Sequence, residues 1–230
     1  MTDAHFDRNP DTVINVVGSS AGFPVHRVFC VGRNYADHVR EMGNDPKIDH
    51  PIFFMKPADA LVPNGGDVTY PPMTDDVHHE VELVIALKSG GRDLDFAAAL
   101  EAVFGYAVGV DLTRRDLQAK MKNKGAPWEI AKAFEQSAPI AAITPKDQFE
   151  FEENTAICLA VNGDKKQDGV LGQMIWSVAE IIQVLSQYFT LKPGDIIFTG
   201  TPAGVGPIAV GDTVDATIDG LTPLSFKMVK

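Results

Sequence analysis

The chain has 230 residues, 45% hydrophobic and 22% charged, with a formal net charge of -11 at pH 7. This length is enough for one well-filled core, and the composition excludes a disordered chain. The acidity, with no stretch that clusters Lys and Arg with aromatics, excludes nucleic acid and anionic membrane as partners.

The first segment, MTDAHFDRNPDTV, lacks the basic start and apolar run of a signal peptide. No apolar stretch approaches the roughly 18 residues of a membrane-crossing helix, so a cytoplasmic protein is expected. Residues 1–24 read as a polar, irregular arm, and residues 25–230 as a single domain with no repeat or linker. VHRVFCVG (25–32) begins the ordered part. It carries Cys30, and Cys158 lies in AICLAVN (156–162); neither has CxxC spacing, and both are expected to be buried free thiols.

CVGRNYADHVREMG (30–43) is dense in polar groups. His38 and Glu41 are three apart and share a face on a short helix, where the carboxylate can orient the imidazole as a base; a surface His beside a Glu has the same spacing. Arg33, Asn34 and Tyr35 add donors to the same segment. Strand patterns follow at PIFFMK (51–56) and DVTY (67–70).

In HHEVELVIAL (78–87) an apolar strand runs from Val81 to Leu87, yet Glu80 and Glu82 are two apart and face the same way in an extended chain. Two adjacent carboxylates on a half-buried face repel, and each costs several kcal/mol to desolvate (on the order of 5) without a compensating group. Either the face is solvated or something compensates. His78 and His79 lack the His or Cys partners at zinc spacing, so at least one is expected to be structural.

DFAAALEAVF (95–104) reads as a helix capped by Asp95. FGYAVGVDLTRRDLQ (104–118) is a strand ending on Asp111 that passes into a polar helical stretch, where Arg115 and Gln118 share a face. If Glu80, Glu82 and Asp111 converge, a divalent cation turns repelling carboxylates into ligands, and all-oxygen ligation favours Mg²⁺, Mn²⁺ or Ca²⁺ over zinc. In PWEIAKAF (127–134), Lys132 lies among apolar residues, either to polarise a substrate oxygen or to snorkel to solvent.

SVAEIIQVL (177–185) has Ser177 and Glu180 as a capping box and Val178, Ile181, Ile182 and Leu185 on one face. DIIFTGTPAGVG (195–206) lacks the lysine and glycine order of a nucleotide loop; it reads as a turn that presents Thr201 and backbone donors to a small acid, or as a purely structural turn. TVDATI (213–218) and LSFKMV (224–229) are the last strands. Many strands, few helices and no regular alternation give a mixed α/β, β-dominated sandwich or roll rather than a doubly wound parallel sheet.

GRNYADH, HHEVELV, GYAVGVDLTRRDLQ, PWEIAKAF, VNGDKKQ and GDIIFTGTPAGVG, in this order, resemble the fumarylacetoacetate hydrolase family, specifically its short acylpyruvate and fumarylpyruvate hydrolases. The match runs from about Val25 to the C-terminus. The resemblance implies a mixed β-sandwich roll, a homodimer, and a Mg²⁺ or Mn²⁺ site made by Glu80, Glu82 and Asp111. It implies that His38 and Glu41 lie on a mobile lid and activate water and that Arg115, Gln118, Lys132 and Thr201 bind substrate; the chemistry of cleavage adds enolate stabilisation by Lys132, and Arg33 and Tyr35 are further candidates. The larger members have an additional N-terminal domain that supplies another acidic ligand; this chain has no room for it and is expected to keep more water on the metal. The expected reaction is cleavage of a 2,4-dioxo acid, 3-fumarylpyruvate or a close acylpyruvate, in aromatic-acid breakdown. Oxaloacetate decarboxylation and isomerisation of 2-oxo diacids are the enzymatic rivals, and a small-acid binding module is the non-enzymatic one.

Overall fold

The computed structural model describes residues 12–37 and 50–230. A short ladder, β1 (Val13–Ile14) on β2 (Phe23–Pro24), leads into β3 (Arg27–Val31) and β4 (Phe53–Lys56). Next come β5 (Leu61–Pro63), β6 (Gly66–Thr69), β7 (Val77–His79) and β8 (Val81–Leu87), and helix α1 (Phe96–Ala102) joins β8 to β9 (Val103–Val110). β10 (Thr113–Arg114) turns directly into α2 (Arg115–Lys124), then the one-turn α3 (Glu129–Lys132), β11 (Ala138–Ile140) and β12 (Thr144–Pro145). The hairpin of β13 (Ala156–Val161) and β14 (Asp164–Val170) precedes α4 (Val178–Tyr188), and β15 (Asp195–Phe198), β16 (Gly206–Ile208), β17 (Thr213–Ile218) and β18 (Leu224–Val229) follow.

These strands make a large mixed sheet ordered β4-β3-β15-β8-β9-β11-β5, with β12 also on β9, and a second sheet ordered β14-β13-β17-β18-β6. A third, small sheet joins β10, β7 and β16. β8 is buried along its whole length, which is why its sequence is an unbroken apolar run rather than an alternation. Leu83, Ile85 and Leu87 face Ile157, Leu159, Val214, Ala216 and the α4 residues Ile181, Ile182 and Leu185. Val84 and Ala86 face the other way, onto Ile14, Val16, Phe23, Ile196 and Phe198. The β-dominated mixed architecture read from the pattern is the architecture found.

Both helix caps are as the sequence specifies. Asp95 accepts a hydrogen bond from Ala98 N at 2.8 Å, and Ser177 and Glu180 form a reciprocal capping box. The first helix stops at Ala102 rather than Phe104, because β-branched Val103 already opens β9. Residues 13–24 are less irregular than expected: Ile14, Val16 and Phe23 are buried in the second face of the core. Cys30 is buried, but the expectation of a buried Cys158 is corrected. Every second residue of β13 faces out, and Cys158 is one of these, its Sγ 3.3 Å from Asp168 Oδ1. No helix among the described residues is long and apolar enough to cross a membrane.

Gly109 on β9 lies opposite Glu82 on β8, and a Cβ there would sit 2.6 Å from both Phe198 Cε1 and Val84 Cγ2. The sheet closes over this position only because it is bare. Gly109→Ala is therefore expected to destabilise the fold by about 1–3 kcal/mol, the range for overpacking a filled core. The check is a lower denaturant midpoint at unchanged slope.

Candidate active site

Glu80, Glu82 and Asp111 are brought together by strand register. Val81 pairs with Val110, and Asp111 N donates to Glu80 O at 2.8 Å, so the β8–β9 ladder continues one step past both strands and sets Glu80 opposite Asp111. Glu82, two residues along, falls on the same side. One oxygen from each carboxylate lies within 4.8 Å of the others, and all three residues are buried.

The cations arrive from other elements. Lys132, at the end of α3, is buried and does not snorkel. Its Nζ donates to Glu80 Oε2 at 2.8 Å, Asp111 Oδ2 at 2.6 Å and Thr113 Oγ1 at 2.6 Å. Burial alone would lower its pKa, but Asp111 and Glu80 more than offset that and hold the ammonium above its ordinary value. Arg115, the first residue of α2, donates through Nη2 to Glu80 Oε1 at 2.5 Å and through Nη1 to Gln118 Oε1 at 2.6 Å. Lys56, at the end of β4, places Nζ 2.8 Å from Asp111 Oδ1 and donates to the carbonyls of Leu112 and Lys132.

Glu82 is different. It has no ion pair among the described residues, and Oε2 accepts one hydrogen bond, from Gly200 N at 2.6 Å. Burial, then the charges of Asp111 and Glu80, push its carboxyl well above the usual range, and Lys132 and the Gly200 N–H only partly offset them. This donor set fits a hard divalent cation: three carboxylate oxygens within reach of one centre, one of them lacking any cationic partner. The histidines offer little to zinc. His78 Nε2 is 2.9 Å from Asp76 Oδ1, and buried His79 spends Nδ1 on Gln167 Oε1 at 3.0 Å.

The Gly-rich turn after β15 is tied in from several sides. Thr199 N and Oγ1 both donate to Leu83 O, at 3.0 and 2.9 Å. Gly200 takes φ +96°, and a Cβ there would lie 2.7 Å from Asn34 Cβ. Asn34 spans Thr199 O and the backbone of Trp176, with bonds of 2.8, 3.1 and 2.6 Å. Gln167, reaching in from β14, donates through Nε2 to Thr201 Oγ1 at 2.8 Å and Pro202 O at 2.9 Å, while Oε1 accepts from Val81 N at 3.0 Å.

The structure thus brings Glu80, Glu82, Asp111, Lys132, Arg115 and Gln118 into one cluster, with Thr201 on the adjoining turn. Tyr35 is buried, its hydroxyl lacks a hydrogen-bond partner among the described residues, and burial followed by the Glu82 charge raises its pKa. Arg33 is partly buried and has no ion pair with a carboxylate among those residues. His38 and Glu41 lie outside the described residues. Lys56 and Gln167 were not singled out by sequence. A lysine closing the apolar run PIFFMK was the available signal for the first; the second closes the resemblance motif VNGDKKQ, within a polar hairpin whose composition assigns it no role.

The family model for the fumarylacetoacetate (FAA) hydrolase C-terminal domain matches residues 27–229. The chain belongs to the fumarylacetoacetate hydrolase family. It is 47% identical to the fumarylpyruvate hydrolase of Pseudomonas aeruginosa, solved with Mn²⁺ and pyruvate, with a TM-score of 0.95 over 99% of each chain. It is 43% identical to the mitochondrial oxaloacetate tautomerase FAHD1 of Homo sapiens, over 88% of this chain and 91% of that protein. The mitochondrial oxaloacetate decarboxylase of Dictyostelium discoideum is 40% identical, over 88% of this chain and 94% of that one.

Because Glu82 is buried without a cation, neutralising it should help the metal-free fold while harming the site. Glu82→Gln keeps an acceptor for Gly200 N–H and is expected to raise the stability of the metal-free protein by about 1–3 kcal/mol. The same substitution is expected to weaken Mn²⁺ binding at least about 100-fold. Chemical denaturation with chelator, and calorimetric titration of Mn²⁺, read the two effects separately; an unchanged Mn²⁺ affinity would remove Glu82 from the ligand set.

Proposed function

We propose that this protein cleaves the C3–C4 bond of a 2,4-dioxo acid of the acylpyruvate type, 3-fumarylpyruvate giving fumarate and pyruvate. The observation that carries the reading is the buried Lys132 ammonium in contact with Glu80 and Asp111. It puts a preorganised donor beside the point where a chelated 2-oxo acid would develop negative charge. The likeness to the Pseudomonas fumarylpyruvate hydrolase supports the choice of substrate.

Glu80, Glu82 and Asp111 would hold a divalent cation, Mg²⁺ or Mn²⁺ ahead of Ca²⁺, which when bound would supply Lewis-acid stabilisation of the charge that develops on a 2-oxo acid. The chain's own residues do the rest. His38, oriented by Glu41, takes a proton from the water that adds to C4; both assignments come from sequence. The C3–C4 bond then breaks, C4 leaves as the new carboxyl carbon of fumarate, and the electron pair passes into a pyruvate enolate that is protonated at C3. Lys132, whose three N–H groups bond Glu80, Asp111 and Thr113, would turn one of them to the enolate oxygen. Arg115 and Gln118, held together at 2.6 Å, and Thr201, fixed by Gln167, bind the polar groups of the substrate, with Arg33 and Tyr35 completing the pocket.

A second reading, oxaloacetate as substrate, is favoured by the tautomerase and decarboxylase relatives. Decarboxylation forms the same enolate with no activated water, and tautomerisation needs only proton movement at C3. Purified protein with Mg²⁺, assayed in parallel on 3-fumarylpyruvate, acetylpyruvate and oxaloacetate, ranks the readings. Chelation is expected to abolish turnover and added Mn²⁺ to restore it.

The His38→Ala variant sharpens the comparison. It is expected to cost acylpyruvate hydrolysis about 10²- to 10⁴-fold while oxaloacetate decarboxylation falls less. Unimpaired hydrolysis in this variant would eliminate His38 as the base.

A further inference from the structure

α2 presents more to the site than Arg115 and Gln118. Lys122 follows at i+7 and i+4 from these, so the three share one helix face. That face is turned toward the acids, because Arg115 is bonded to Glu80 and Gln118 to Arg115. Lys122 stands one turn farther out than Gln118, about 6 Å along the helix axis.

Its surroundings are aromatic and cationic. Nζ lies 5.5 Å from the centroid of the Trp128 ring, and Trp128 packs on Phe54 at 6.4 Å. On Phe54 sits Lys132 Nζ, 5.1 Å from that centroid, so the aromatic pair stands between the ammonium at the acids and the ammonium outside them. The backbone before Arg33 reaches the same ring: a Cβ on Gly32 would lie 3.4 Å from Trp128 Cζ3. Lys122 is partly buried and has no ion pair with a carboxylate among the described residues. Burial, then the charges of Arg33 and Arg115, hold its ammonium below the ordinary lysine value. Arg115 is answered by Glu80, but Lys122 and Arg33 have no such ion pair among the described residues, and neighbouring partly buried cations are costly unless an anion joins them.

We infer that Lys122, with Arg33 beside it, receives the far carboxylate of the substrate, so that the site selects 2-oxo acids ending in a second carboxylate. The inference rests on the proposed binding of a 2-oxo acid at the carboxylate cluster and names which members of that class fit. Trp128 forms the floor along which the chain of the substrate would lie, and the two cations close the far end. Lys122 is a specificity residue in this arrangement and takes no part in bond cleavage.

The test compares two seven-carbon 2-oxo acids that lack the 4-oxo group: 2-oxoheptanedioate, with a terminal carboxylate, and 2-oxoheptanoate, with a methyl group there. Calorimetry on the Mn²⁺-loaded protein reads the ratio of their affinities. The wild type is expected to prefer the diacid about tenfold, the scale of one charge-assisted hydrogen bond. Lys122→Met, which keeps the packing on Trp128 and removes the charge, should bring the ratio to about one, and Lys122→Arg should retain the preference. A wild type without preference, or Lys122→Met with an undiminished ratio, would overturn the inference. A preference that is lost in Lys122→Met, in a protein that cleaves no acylpyruvate, would support this assignment and refute the hydrolase reading.

Discussion

The structure turns on the compensation of three buried carboxylates. Glu80, Glu82 and Asp111 lie at the meeting of β8 and β9, where each isolated charge would cost several kcal/mol (about 5) to remove from water. Lys132, Lys56 and Arg115 answer Glu80 and Asp111, and each comes from a different element: α3, β4 and α2; Glu82 is met by the Gly200 N–H instead. The acids therefore do more than furnish a site. Every element that supplies a cation is drawn onto the end of the β8–β9 ladder, and the short helices, which have little apolar surface of their own, gain a reason to dock there.

Rigidity reaches the site through buried amides and hydroxyls that bond to more than one element. Gln167 is wholly buried and joins the second sheet to both the acid-bearing strand and the Thr201 turn. Asn34 ties the β3 end to Thr199 and to the approach of α4. Thr199 fastens the turn to β8. Buried amides of this kind cost most when half satisfied, so the pairing of both N–H donors and the carbonyl of Asn34 and of Gln167 fixes one arrangement of turn and strand. The Gly200 N–H reaches Glu82 as a consequence of that arrangement.

Much of this was legible in sequence. Period-two and unbroken apolar runs located the strands, and Asp95, Ser177 and Glu180 marked helix starts because capping is a local interaction. The Glu80/Glu82 conflict pointed to the site, since like charges on one strand face require an explanation. What escaped the reading depends on long-range register. The route of Lys132 to the acids could not be separated from snorkelling until α3 was placed against β10 and β4. Gln167 is 86 residues from the Val81 amide it binds, and its hairpin has the composition of an exposed edge. Cys158 was misread because one strand face was taken for both. Lys122 was within reach, as its spacing from Arg115 and Gln118 is helical; without the direction of that face, the spacing said nothing about a ligand.

The division between the cluster and its surroundings also accounts for relatives that bear different activities. Hydrolysis of an acylpyruvate, decarboxylation of oxaloacetate and its tautomerisation all pass through an enolate of a 2-oxo acid, so under the proposed function the same carboxylates and the same Lys132 would serve each. The cluster therefore cannot choose among them. Choice falls to groups that the common intermediate does not touch: a base that activates water or leaves it alone, and whatever meets the far end of the substrate. In this chain the groups proposed for those roles belong to the polar sequence segment 30–43 and to the outer turn of α2. Removing Lys132, Lys56 or Arg115 leaves a buried carboxylate without its cation, a cost that a substitution of Lys122 on the outer turn does not carry. That asymmetry in cost is a physical reason for a constant centre to be surrounded by a variable rim.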